Sequence, residues 1–276
     1  MSDKTQTGAA AVSINNISFK YDSCDNCRCS NIINDLSFDL NPGSSVAVLG
    51  ANGAGKSTLL LLMAGYLKPS SGKIFLNGED ISLLSTAERS SLISYCAQNI
   101  EAAFNFSAYE IIALGRAPHL NYFGALGEKD RVIIEKAAAA LEIEPLLDRP
   151  FNLLSGGERK RVMLARAMAQ DAPIAIFDEP EAHLDIRHQM QFFNYINSAV
   201  SEHKKLCIFS VHNPELAVKY SSEAVIFYET RGCAISGATN EIVNESNLKR
   251  IYGVDFEKAV TAGGRTILTP DLSALS

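Results

Sequence analysis

One eight-residue stretch constrains this chain more than any other. Residues Gly50 to Ser57 read Gly-Ala-Asn-Gly-Ala-Gly-Lys-Ser, directly after the apolar run Ser45–Leu49 and at the start of a Leu-rich segment from about Lys56 to Leu67. The spacing fits G-x-x-x-x-G-K-[ST], a phosphate-binding loop that needs a strand before it and a helix after it. Glycines let the backbone wrap phosphate oxygens, and successive N–H groups and the helix N-terminus then point at the anion. Lys56 adds positive charge near the β- and γ-phosphates, and the Ser57 hydroxyl suits Mg2+. Gly50, Asn52, Gly53, Ala54, Gly55, Lys56, Ser57 and Thr58 are therefore the candidate nucleotide contacts.

Two further stretches gain meaning from this loop. Ile174-Ala-Ile-Phe-Asp-Glu179 is an apolar strand ending in two acids. It would set Asp178 beside a metal and let Glu179 hold or deprotonate an attacking water. Alone the pattern is common. Leu154-Ser-Gly-Gly-Glu158 opens a helical segment, with Ser155 as N-cap and with Gly156 and Gly157 leaving room for a phosphate at the helix N-terminus. Alone it reads equally well as an ordinary capped helix.

The rest of the chain supports an α/β reading. Strands are expected over Val12–Tyr21, Leu36–Leu40, Ser45–Leu49, Lys73–Leu76, Leu92–Cys96, Ile174–Phe177 and Leu206–Ser210, with Asn77-Gly78 as a hairpin turn. Helical periodicity marks Ala108–Leu114, Lys129–Leu141, Glu158–Gln170 and His188–Ser201. Strands, then a helical stretch, then strands again imply an α/β core with an inserted helical subdomain. Met1–Ala11 reads as a flexible polar tail.

Length and charge narrow the options. A chain of 276 residues suits one large domain, or at most two small ones. The net charge of -6 argues against a broad basic face, so nucleic acid is not an expected partner. The polar start predicts no secretory signal, and the longest apolar run, Leu59–Ala64, is far below the roughly 18 to 20 residues that cross a bilayer. A membrane role would have to run through a partner.

The order of phosphate loop, Leu-Ser-Gly-Gly-Glu and Asp-Glu-Pro resembles the ATP-binding cassette (ABC) family, over about Ile14 to Val254. The resemblance implies a RecA-like P-loop NTPase core with an antiparallel β subdomain and an inserted helical subdomain at about 99–170. The cassette would span 12–256, with a tail at 1–11 and an extension at 257–276. It implies ATP and Mg2+ as ligands, with Ser57, Gln98 and Asp178 toward the metal. It makes Glu179, His212, Gln98 and Lys56 the catalytic set, with His212 on the γ-phosphate and Tyr21 stacked on adenine. It also implies a head-to-tail homodimer, in which Ser155, Gly156, Gly157 and Asp185 of one copy face the nucleotide of the other. Two positions depart from the family pattern: Ala51 stands where proline is common, and Glu181 where Thr or Ser is usual.

Ala113-Leu-Gly-Arg-Ala-Pro-His119, Leu184-Asp-Ile-Arg-His-Gln189 and Ile251-Tyr-Gly-Val254 are similar to importers of iron–siderophore complexes, haem or cobalamin. In that branch the ATPase is a separate chain at the cytoplasmic face of the membrane. Two copies bind a permease dimer, and a substrate-binding protein delivers the cargo outside. Molybdate importers share much of this pattern, and an iron–sulfur assembly ATPase is the soluble alternative. Read without the resemblance, Gly115 is a helix terminator, Arg116 sits near the C-terminal dipole and Pro118 is a stop. Cys24, Cys27 and Cys29 form a polar loop open to three readings: a bland loop, a metal site or a redox pair. Cys96, Cys207 and Cys233 lie in or beside apolar strands and are expected in the core.

Overall fold

Buried strands decide the architecture. In a computed structural model, which describes residues 11–21, 31–98, 105–120, 124–228, 232–260 and 266–271, three strands are buried at every position: β3 (Ser45–Leu49), β7 (Ile174–Phe177) and β8 (Leu206–Ser210). Continuous apolar runs of this kind belong to a parallel sheet covered on both faces. They lie with β6 (Ile93–Cys96), β9 (Glu223–Phe227) and β10 (Ala234–Ala238) in a six-stranded sheet among the described residues, in the order β10-β9-β3-β8-β7-β6. All neighbours are parallel except β9 and β10 at one edge.

A second, four-stranded antiparallel sheet has the order β2-β1-β4-β5, from β1 (Val12–Phe19), β2 (Ile33–Leu40), β4 (Ser71–Leu76) and β5 (Glu79–Asp80). Asn77 and Gly78 turn β4 into β5 with φ of 48° and 86°, the two left-handed residues of a tight hairpin. This sheet packs with α1 (Lys56–Met63) onto one face of the parallel sheet. The other face meets α5 (Gly156–Ala169), α6 (Ile186–Ser201) and α7 (Pro214–Tyr220), in the same apolar core as the inserted helices. Cys96 and Cys207 are buried there, whereas Cys233 is exposed.

The inserted helical part runs from α3 (Ala108–Ala113) through a 3-10 turn (Leu114–His119) and α4 (Glu128–Ala140) to α5. α3 ends at Ala113, two residues before Gly115, and Arg116 lies in the last turn of the 3-10 helix that follows. The chain tightens into the 3-10 turn so that Gly115 can lie against the end of α5, where an added Cβ would collide with the Arg166 carbonyl oxygen. Buried Arg116 donates from Nη1 to Ala169 O at 2.8 Å and from Nε to Asp130 Oδ1 at 2.8 Å. It thus caps the C-terminus of α5 and ties it to α4. Gly115→Ala is accordingly expected to cost about 1–3 kcal/mol of overpacking, read as a Tm several degrees lower by circular dichroism. An unchanged Tm would show that the end of α5 yields freely.

Other differences have local causes. α1 ends at Met63 and not Leu67, because Gly65 breaks out at φ 72°. A helix not expected from periodicity, α2 (Thr86–Leu92), buries no residue, and its only signal is the capping box Ser85/Glu88. Ala11 is buried and not tail: its N–H donates to Leu40 O and its C=O accepts from Asn77 N–H. β11 (Phe256–Val260) pairs with β12 (Thr266–Pro270), so a boundary between 256 and 257 would cut a strand. The cysteines at 24, 27 and 29 lie outside the described residues.

Candidate active site

Parallel pairing gathers the site. With β3, β6, β7 and β8 all running the same way, the loops that leave their carboxyl ends share one edge of the sheet, where α/β proteins bind ligands. That edge receives the phosphate loop after β3, Gln98 after β6, Asp178 and Glu179 after β7, and His212 after β8.

The phosphate loop leads from β3 into α1 as its sequence requires. Gly53 and Gly55 have φ of 77° and 107°. A Cβ on Gly55 would also lie 3.0 Å from Ile32 Cγ2. Lys56 is only 5% exposed, and its Nζ donates to Gly50 O at 2.8 Å and to Ala51 O at 3.1 Å. Burial pulls its pKa down, while Glu179, Asp178 and Glu181 act in the opposite sense. The ammonium is thus held inside its own loop beside three carboxyl groups.

Asp178 is buried, and its N–H donates to Cys96 O across the sheet. Ser210, at the end of β8, connects the two acids: its hydroxyl donates to Asp178 Oδ1 at 2.6 Å and accepts from Glu179 N–H at 2.8 Å. Buried Lys160 on α5 donates to Asp178 O at 3.3 Å. Neither Ser210 nor Lys160 stands out in the sequence, although a serine closing the apolar run Leu206–Ser210 was a usable hint.

The Glu179 carboxylate is gripped from both sides. Gln98 Nε2 donates to Oε2 at 2.6 Å, and His212 Nε2 lies 2.7 Å from Oε1. Glu179 itself sits at φ 45°, a left-handed conformation that is strained for a non-glycine residue and typical of functional turns. Together with the phosphate loop these residues line a cleft of ≈ 550 Å³ that includes Asn52, Ser57 and Thr58. Tyr21 stands at its rim, 45% exposed, with its ring edge-on to Phe19 and its hydroxyl 3.3 Å from Thr58 Oγ1.

Ser155, Gly157 and Asp185 are not in that cleft. Ser155 caps α5 reciprocally with Glu158, and Asp185 caps α6 by accepting from His188 N–H at 2.9 Å. Gly157 packs under His183, whose carbonyl oxygen would lie 3.0 Å from an added Cβ. Gly156 has open space beside it. Ser155, Gly157 and Asp185 line a separate cleft of ≈ 250 Å³ with His183 and His188, and among the described residues none lines both. The two clefts are separate surfaces of one chain.

A RecA-like core, an antiparallel sheet, an inserted helical part and this edge of phosphate loop, paired acids and histidine define an ATP-binding cassette. The chain belongs to the ABC transporter family, whose sequence pattern matches residues 33–182. Among relatives, it is 33% identical over 242 residues to the cobalamin import ATP-binding protein of Halobacterium salinarum, covering 87% of this chain and 60% of that protein. It is 34% identical over 224 residues to the achromobactin transport ATP-binding protein of Dickeya dadantii, covering 81% and 83%. Among solved structures, an inward-facing metal-chelate type ABC transporter matches with a TM-score of 0.80 at 27% identity, covering 97% of this chain and 100% of that one.

Proposed function

We propose that this chain is the ATP-hydrolysing subunit of an importer that moves a metal chelate through a separate membrane permease. The observation that carries the ATPase part is the Glu179 carboxylate, held between Gln98 Nε2 and His212 Nε2 at the mouth of the phosphate-loop cleft. In this reading Lys56 and the loop N–H groups bind the phosphates, Glu179 orients and deprotonates the attacking water, and His212 meets the γ-phosphate. Phosphoryl transfer asks a protein chiefly for such positioning and charge stabilisation. Tyr21 takes the adenine at the rim.

Ser57, Gln98 and Asp178 offer a hydroxyl, an amide and a carboxylate oxygen, the hard donors that Mg2+ accepts alongside phosphates and water. They would hold it, and the ion would neutralise charge on the β- and γ-phosphates. The separation of Ser155, Gly157 and Asp185 from the phosphate-loop cleft supports a head-to-tail dimer. In such a dimer each copy closes the other's nucleotide site.

The relatives' names and the metal-chelate transporter support the cargo class. Iron–siderophore complexes, haem and cobalamin are the candidates within it. A permease partner fits the absence, among the described residues, of any helix long and apolar enough to cross a membrane. The subunit would then sit at the cytoplasmic face, with a substrate-binding protein delivering cargo outside. Affinity purification from gently solubilised membranes is expected to recover a multi-span permease, identified by mass spectrometry. Recovery of soluble partners alone would overturn the importer reading and favour an iron–sulfur assembly role.

A further inference from the structure

We propose that Tyr252 and Glu181 are positioning residues that together hold the backbone of His212, so that the C-terminal helix helps to set the geometry of ATP hydrolysis. This rests on the ATPase reading above. His212 follows β8 at the point where the chain turns into α7, whose N-cap is the next residue, Asn213. The last ladder bond before the turn is Val211 N–H to Val48 O at 3.1 Å. Beyond it, the two backbone groups of His212 are taken by side chains from elsewhere. Its N–H donates to Glu181 Oε1 at 3.2 Å, and its C=O accepts from the Tyr252 hydroxyl at 2.8 Å.

The residues that form this clamp are well anchored. Tyr252 ends α8 (Glu245–Tyr252), whose Leu248 and Ile251 are fully buried. Ion pairs Lys249–Asp255 at 2.6 Å and Lys258–Glu245 at 3.0 Å tie the helix to the following hairpin, and the Tyr252 and Phe256 rings are 5.9 Å apart. Burial, and then the nearby Glu181, push the Tyr252 hydroxyl up to about 12, so it stays a proton donor throughout the neutral range. Glu181 is held in turn through its backbone, where its carbonyl accepts from Gln189 Nε2 at 3.3 Å. With both peptide groups held, the His212 backbone is set where its ring reaches Glu179, as it does at 2.7 Å. Releasing either bond lets the histidine drift, and a shift of order 1 Å at a reacting centre is costly in rate.

Tyr252→Phe removes one oxygen and keeps the ring packing. Single-turnover ATP hydrolysis with enzyme in excess is expected to slow about fivefold, the typical worth of one lost hydrogen bond. KM for ATP should stay at the wild-type value, and Tm should fall by no more than a few degrees. The same substitution in a His212→Ala background is expected to change nothing further, because the hydroxyl acts only through that histidine. Glu181→Ala should slow turnover as well, and Glu181→Gln, which keeps the acceptor oxygen, should restore most of the loss. Wild-type turnover in Tyr252→Phe, or an equal loss from it with and without His212, would overturn the positioning role alone. A wild-type chain that turns over no ATP would overturn the ATPase reading itself, and this role with it.

Discussion

Glu179→Gln is expected to bind ATP normally and to hydrolyse it about 10²–10⁴-fold more slowly, the usual worth of a positioned general base. The substitution keeps the shape of the side chain. Its amide can still meet Gln98 and His212, the groups that now hold the carboxylate at 2.6 Å and 2.7 Å, so the turn at φ 45° should survive. What it loses is the ability to take a proton from water. If the two separate clefts on each chain join in one composite site between copies, ATP should then accumulate a stable dimer, because the step that would release it is blocked. Size-exclusion chromatography with ATP present reads the dimer, and phosphate release reads the rate. Normal turnover by this variant would remove Glu179 from its role. A slow variant that stays monomeric with ATP would leave the base in place and count against the head-to-tail arrangement.

Lys56→Ala is expected to weaken ATP binding by about 30-fold or more, since hydrogen bonds to charged groups are each worth roughly 1.5–3 kcal/mol. The ammonium is buried and already desolvated, so it meets a phosphate without first shedding a full hydration shell. It now donates to Gly50 O and Ala51 O, and the substitution strips both carbonyl groups of that partner. A titration with fluorescent ATP analogues gives the affinity, and a parallel melt separates lost binding from lost folding. Unchanged affinity would contradict the phosphate-loop assignment.

Much of this site is legible in the amino-acid sequence. The phosphate loop announces itself because its chemistry is local: φ values open to glycine, N–H groups in succession, a lysine at a fixed offset. The capping boxes at Ser85, Ser107 and Ser155 are local in the same way, each a serine and a glutamate three residues apart. The buried strands β3, β7 and β8 show as unbroken apolar runs. Gln98 and His212 come forward only through family resemblance. Nothing in either residue's own neighbourhood says that they close on one carboxylate from 81 and 33 residues away.

The sequence by itself determined the class of ligand and the buried strands β3 and β7 that lead into its motifs, because each depends on residues adjacent in the chain. Tertiary structure decided the rest. Parallel pairing brought four loop ends to one edge of the sheet, and the same packing left Ser155, Gly157 and Asp185 outside that cleft. Gly115, just past the end of α3, proved also to be a contact with the end of α5, and Arg116 capped a helix it does not belong to. Tyr252 reached His212 across 40 residues. Close approach and hydrogen bonds between distant segments depend on how whole elements dock, and residue spacing along one segment carries no record of that.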